Sequence, residues 1–302
     1  MPVPTPSSAN EFIEQRLDEC IEDLEQHFSG HAMALSGPLM EGVDNIVRNV
    51  VERRHEQGPP LDRLIFVLTT SGGYIEVVRR IVDTLRKHYS LVDFIVPDYA
   101  YSAGTVLVMS GDAIHMDYYS RLGPIDPQVE SPADGRLRPA LGYLDRYDSL
   151  IQKARDGTIT MAEVQLLISG FDQAELHEYE QARELSIALL KEWLAKYKFK
   201  NWLTTETRKK RVTEAMRTRR ASTIARQLND TKKWHSHGHG ISRDVLERDL
   251  KLKTDDFEAD AGLNRTIRGY HALLDDYMVK QGDRGVVHAK GQYSSYWRNR
   301  GA

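Results

Sequence analysis

Two short stretches carry the residue types that acyl transfer requires. Thr69-Thr70-Ser71-Gly72-Gly73 follows the apolar run Leu64-Ile65-Phe66-Val67-Leu68, and Tyr101-Ser102-Ala103-Gly104 follows the apolar run from Leu91 to Pro97. Glycine reaches backbone conformations closed to other residues, so a Gly-Gly turn at the end of a buried strand can aim N–H groups outward at a ligand. A serine at the head of a helical segment, here Ala103 to Gly111, sits beside N–H groups that lack helical partners and at the positive end of the helix dipole. Attack on a carbonyl needs such a nucleophile close to donors aimed at the oxygen that becomes negative. Each stretch alone also has an ordinary reading, a tight turn for Gly72-Gly73 and an N-cap for Ser102; their combination points to a hydrolase site.

The elements around them must bring the two stretches together. The segment Ile75 to His88 reads as an amphipathic helix; if it joins two adjacent parallel strands, Gly73 and Ser102 fall side by side at the strands' carboxyl ends. Upstream, Phe12, Leu17, Ile21, Leu24 and Phe28 line one face of a helix capped at Asn10, His31 to Ser36 reads as a strand, and Leu39 to Arg54 as a helix with Ile46, Val50 and Val51 inward. This alternation predicts an α/β fold with a mostly parallel sheet. Beyond the Pro- and Gly-rich stretch from Ser131 to Pro139 the strand signal fades; Asp172 to Phe199 and 254–285 read as helices and the chain after Gly282 as flexible. The predicted organisation is a disordered stretch at 1–10, an α/β catalytic core at 11–157, a helical extension for oligomerisation or substrate gating at 158–285, and a flexible tail at 286–302.

The order of strand, Gly-Gly, helix, strand, Ser-Ala-Gly and helix, followed by Ala113-Ile114-His115-Met116-Asp117 and Leu122-Gly123-Pro124-Ile125-Asp126-Pro127-Gln128, resembles the Clp-type and signal-peptide-peptidase-type serine peptidases. The wording of Tyr101 to Thr105 and Leu122 to Gln128 is most similar to the serine dehydrogenase proteinase family. The resemblance covers about residues 60 to 130. It implies a Clp/crotonase-like core of repeated ββα units, Ser102 as nucleophile, and the backbone N–H groups of Gly73 and Ala103 as oxyanion donors. It also implies a homo-oligomer acting on polypeptides without a metal or organic cofactor.

At the place where Clp-type enzymes carry their histidine, this chain has Ile125-Asp126-Pro127, so the proton acceptor must come from elsewhere. The signal-peptide-peptidase-type relatives use a downstream lysine, and Lys153 is the single lysine between Lys87 and Lys191. A catalytic lysine requires a partly desolvated amine, since burial lowers its pKa toward the working range. The competing reading is a solvent-facing lysine near a helix C-terminus. His115 and Asp126 are secondary candidates: the first competes as base but equally suits a strand residue packed against a neighbour, the second could orient a base or bind substrate but equally shapes a turn between two prolines. Gly72, Tyr101 and Gly104 complete the candidate site.

Composition sets the outer bounds. A chain of 302 residues with 40% apolar content can bury a substantial core, and a net charge of −3 argues against a general nucleic-acid partner. One cysteine, Cys20, excludes an intrachain disulfide, and no apolar run reaches the length of a membrane span. The start of the chain lacks a secretory signal pattern, so the expected location is cytoplasmic. Two motifs stand apart. The basic stretch from Lys198 to Arg226, with ten Lys or Arg against two Glu, suits a solvated helix facing acidic segments of another subunit better than a phosphate backbone. His235, His237 and His239 alternate as metal ligands can, but lack a fixed fourth ligand such as a nearby cysteine. Two further readings remain: an inactive, oligomeric scaffold of the same fold, and a crotonase-like enzyme acting on acyl-coenzyme A.

Overall fold

The computed structural model describes residues 8–57, 61–125, 128–130, 137–234 and 240–298; Asp126 and the loop of His235, His237 and His239 lie outside the described residues. In chain order the first elements are α1 (Ala9–Phe28), β1 (His31–Ser36), α2 (Val43–Gln57), β2 (Arg63–Thr69), α3 (Ile75–His88), β3 (Leu91–Ile95), β4 (Tyr99–Ala100), α4 (Ala103–Val108), β5 (Ala113–Met116) and β6 (Arg121–Leu122). Then follow β7 (Gln128–Glu130), β8 (Leu137–Pro139), α5 (Ala140–Arg155), α6 (Met161–Ser169), α7 (Gln173–Trp193), α8 (Glu214–Leu228) and α9 (Thr231–Trp234). The last are β9 (Ile241–Ser242), α10 (Arg243–Arg248), β10 (Asp255–Asp256), α11 (Ala261–Gln281), β11 (Asp283–Ala289) and β12 (Gln292–Arg298).

The central sheet has the order β10-β5-β3-β2-β1-β11-β12. Every pair from β10 to β1 is parallel; β11 joins β1, and β12 joins β11, antiparallel. The inner strands are apolar on both faces because both are covered. Met33, Leu35, Phe66, Leu68 and Phe94 face one core, which also holds the buried residues of α2, α3 and α4. Ala32, Ala34, Ile65, Val67 and Ile95 face a second, closed by Leu17, Ile21 and Leu24 of α1 and Ile267, Tyr270 and Leu274 of α11. The sequence α3 spans, Ile75–His88, is the predicted one, and β1 likewise coincides with its predicted range.

Four expectations need correction. Residues 286–298, read as a flexible tail, belong to a hairpin in the central sheet: Val286 and Val287 pair with Ser36 and Leu35, and Lys290-Gly291, with Gly291 at φ 70°, turns the chain into β12. The two-residue turn and the aromatic-rich strand are hairpin signals that the polar composition hid. The 158–285 segment is not one appendage, because α7 packs against α3, α4 and α8 while α11 packs against α1. The ββα order is present at β3-β4-α4 but not repeated along the core, since β1-α2-β2-α3 follows one strand with one helix. Finally α1 is capped by Ser8, whose side chain accepts from the Glu11 N–H at 3.2 Å, so Asn10 is inside the helix; the cap must precede the N–H it satisfies by about a turn.

Candidate active site

Beyond β2 and β4 the two chain segments stay hydrogen-bonded: the Thr70 N–H donates to Tyr99 O at 3.0 Å and the Tyr101 N–H to Thr70 O at 2.9 Å. Past that clamp one segment turns through Gly72 and Gly73, at φ 104° and 150°, while the other turns through Ser102. A Cβ on Gly72 would stand 2.9 Å from the Ser102 Cβ and 3.3 Å from its Oγ, so the glycine turn lies directly against the serine side chain. A Cβ on Gly73 would stand 2.2 Å from Leu39 O. Only glycine fits either position. The β1–α2 loop fixes this turn, with the Leu39 N–H donating to Gly72 O at 2.8 Å and the Tyr74 N–H to Leu39 O at 2.9 Å. That pattern passes over the Gly73 N–H, which, like the Ala103 N–H at the head of α4, makes no backbone hydrogen bond among the described residues.

Ser102 has φ 52° and ψ −119°, a conformation that costs a non-glycine residue about 1–3 kcal/mol and persists only where the surroundings impose it. A serine on a sharp strand-to-helix turn is how the nucleophile of another hydrolase fold is presented. The surroundings here are specific. A Cβ on Gly104 would come within 2.3 Å of the Thr70 side chain, so α4 rests on the end of β2. The buried Thr105 hydroxyl lies 2.8 Å from Ala100 O and 3.0 Å from Gly123 O, and accepts from the Gly123 N–H at 3.0 Å. Gly123 in turn abuts the Tyr101 ring, where a Cβ would stand at 2.8 Å. The Leu122-Gly123-Pro124-Ile125 motif is thereby held against the serine turn, and the Asn229 side chain amide donates to Ile125 O at 2.8 Å. Because α4 is six residues long rather than extending to Gly111, local N–H groups outweigh any dipole summed along it. Ser102 itself is fully buried. The Tyr99 and Tyr101 rings stack at 5.1 Å, and burial, helped by Asp98, holds both phenols above their ordinary pKa.

Lys153 sits near the C-terminus of α5, its amine 2.5 Å from Glu163 Oε1 and its side chain 43% exposed. A catalytic lysine requires a partly desolvated amine; here α6 brings a carboxylate to a half-exposed one, as in the competing reading of a solvent-facing lysine. The lysine bond, first, and the Thr160 N–H hold the Glu163 carboxyl down at about 2. His115 lies on the α1 side of the sheet, its ring edge-on to Phe28 at 5.0 Å, whereas α4 packs on the opposite side. Burial takes its pKa down to about 4 against the opposing pull of Asp255. The strand-packing reading of this residue is the one the geometry matches. Sequence reasoning missed Leu39, Thr105 and Asn229. Thr105 directly follows the serine motif and was within reach of it, while Leu39 and Asn229 act through backbone contacts that no spacing announces.

Two proteins of Methanocaldococcus jannaschii named uncharacterized proteins MJ1495 and MJ0137 are 29% and 30% identical over 125 and 126 residues, 41% of this chain in each case. The chain spans about two fifths of the length of these curated relatives, 39% and 40%. Among solved structures, ClpP1 from Listeria monocytogenes superimposes with TM-score 0.42 at 12% identity, covering 82% of this chain and 98% of that one. A lysine-to-alanine variant of the 1510-N membrane-bound stomatin-specific protease in complex with a substrate peptide gives TM-score 0.45 at 13% identity, covering 87% and 84%. The family described as ClpP-like SDH-type serine proteinases matches residues 40–214, a span that opens beside Leu39, takes in the glycine turn and Ser102, and reaches the start of α8. More than half of the chain, including both halves of the candidate site, lies within that match, and the chain belongs to this family of serine proteinases.

Proposed function

We infer that this protein hydrolyses peptide bonds through an acyl-enzyme on Ser102. The observation that carries the reading is the strained Ser102 turn set against Gly72-Gly73, with the Gly73 and Ala103 N–H groups left over by the hydrogen bonding around them. A tetrahedral oxyanion between those amides would gain what a single donor is typically worth, about 3–4 kcal/mol. Tyr101, Gly104 and Gly72 shape the turn. The geometry supports the nucleophile and the amide pair more than it supports Lys153 as the base, since its amine is engaged by Glu163. Asp126, next to Ile125 in the sequence, is a secondary candidate for orienting a base or binding substrate. The substrate in this reading is a polypeptide, the working unit a homo-oligomer, and no metal or organic cofactor enters the chemistry. No helix among the described residues is long and apolar enough to cross a membrane.

A second reading, a catalytically silent scaffold, draws on the complete burial of Ser102 and the ion-paired Lys153. A fluorophosphonate probe separates the two. The peptidase reading expects covalent labelling that maps to Ser102 and disappears in Ser102→Ala; folded wild-type protein that neither labels nor forms an acyl adduct with an activated ester would leave the scaffold reading.

A further inference from the structure

A cavity of about 320 Å³ opens at the carboxyl ends of β1 and β2 and beside the start of β4, on the α11 side of the sheet. Its rim includes Thr70 and Ser71, which run directly into the glycine turn, and Tyr99, which leads to Ser102. Two residues of extended chain span roughly 7 Å, so the cavity mouth and the serine are neighbours across the Thr70–Tyr101 clamp. Alternation along that clamp puts them on opposite sides of it: Thr70 and Gly72 face α4 and Ser102, so Ser71 faces the cavity. The volume is at the small end for ligand sites, enough for one long side chain rather than a nucleotide or prosthetic group.

Carboxylates outnumber cations on its wall. Asp98 and Asp275 flank His271, with His271 Nε2 3.9 Å from Asp98 Oδ2, and neither carboxylate has an Arg or Lys partner among the described residues. Asp283 is committed to Arg298, Ser295 and Tyr293. The lone cation on the wall, Arg284, lies over the Trp297 ring at 5.6 Å. Burial lowers the His271 pKa despite the two aspartates, so the imidazole is neutral above its ordinary titration range and cancels neither of them. We propose that this cavity is a specificity subsite that receives a lysine or arginine side chain of the polypeptide substrate, with Asp98 and Asp275 meeting the cationic head and Tyr99 and Trp297 covering its apolar stem. The proposal rests on the peptidase reading of Ser102. An extended substrate laid across the clamp sends alternate side chains to opposite sides, one toward Ser102 and the next into this cavity.

The test profiles cleavage sites in a mixed peptide library by mass spectrometry, with fluorophosphonate labelling run in parallel. Wild-type protein enriches Lys or Arg at one fixed position next to the scissile bond. Asp275→Asn lowers that enrichment about tenfold, the scale of one half-exposed charge contact, and Asp275→Lys abolishes it. Asp275 lies on the exposed surface of α11, which keeps these variants folded, and Asp98→Asn gives the corresponding loss from the other wall. As a readout independent of turnover, Ser102→Ala protein binds a fluorescent lysine-containing peptide in anisotropy measurements more tightly than the same peptide with norleucine in its place. Labelling and cleavage without any basic preference overturn the subsite alone. Failure to label or cleave overturns the peptidase reading, and equal anisotropy for the two peptides then overturns the cavity's preference as well.

Discussion

The Ser102 turn and the arm built from α5 and α6 are the two places where the sequence put chemistry, and they hold their residues in opposite ways. At the turn, backbone groups of Leu39, Gly72, Thr70, Tyr99 and Tyr101 fix each other through hydrogen bonds of 2.8–3.0 Å, and Leu39, Thr70 and Ser102 are buried. On the arm, Lys153 and Glu163 meet across an exposed surface, and the packing beneath is a small cluster of Leu144, Leu176 and Tyr179. Placement by backbone and core leaves a group little freedom; placement by a solvated ion pair leaves it much. Sub-ångström chemistry belongs to the first kind of site.

The largest expected effect comes from breaking the turn. Gly73→Ala forces a methyl against Leu39 O and a φ of 150° on a residue that rejects it. Urea denaturation is expected to show a loss of about 2–4 kcal/mol, and fluorophosphonate labelling to fall below detection. Retained labelling would mean that the amide at this position is dispensable. Next in size is Thr105→Val, which removes the hydroxyl between Ala100 O and Gly123 O while keeping its shape. A buried carbonyl and N–H losing their partner cost about 1–3 kcal/mol, and the labelling rate should fall with them if Thr105 holds the serine turn in register. Stability lost with an unchanged labelling rate would confine Thr105 to a packing role. Ser102→Gly has the reverse sign: relative to Ser102→Ala it should gain roughly 1 kcal/mol, because glycine accepts φ 52° that alanine does not.

The difference between the two regions also explains what could be read beforehand. Strands such as β2 and helices such as α3 announce themselves because burial on two faces or one imposes a hydrophobic period, and the turn between them is marked by glycines that steric contact requires. The serine motif was legible for the same reason, since Gly104 and Gly123 are needed for close approach. The arm gave no such signal. One lysine in a half-apolar helix end fits burial and exposure equally, and the partner that decides, Glu163, belongs to another helix. The β11–β12 hairpin was missed because the buried apolar side chains of β11, Val286, Val287 and Ala289, are few and its other strand is polar and aromatic. Its place in the sheet comes from pairing with β1, a long-range fact that local composition does not carry.

His115 sharpens the contrast from the other face of the sheet. Its folded pKa of about 4 lies below the ordinary 6.5 of the residue, so the unfolded chain takes up the proton first. Stability from its neutral form is therefore present above pH 6.5 and lost as pH falls through the window to 4. The difference corresponds to an upper limit of roughly 3 kcal/mol. His115→Leu should flatten the acid limb of a pH–stability curve in that window without changing Ser102 labelling at neutral pH. A labelling defect instead would tie the histidine to the site and contradict its position against Phe28.

The smallest effect bears most directly on the comparison. In a carboxylate-observed NMR titration Glu163 is expected to titrate near 2, and in Lys153→Ala to move back toward 4.5 but short of it, because the Thr160 N–H still donates at 3.0 Å. A depressed carboxylate contributes stability above its unfolded pKa that disappears as pH drops through the folded value, so any acid destabilisation from this pair falls between 4.5 and 2, and salt should screen it. Melting temperature at neutral pH should barely move in Lys153→Ala. The decisive measurement in that variant is the labelling rate of Ser102. A passive arm leaves it intact, and the proton acceptor then has to be sought elsewhere. If labelling collapses while the melting temperature holds, the arm is no passive surface: Lys153 must leave Glu163 and reach the serine, and the solvated ion pair is the open state of a device that closes over the turn.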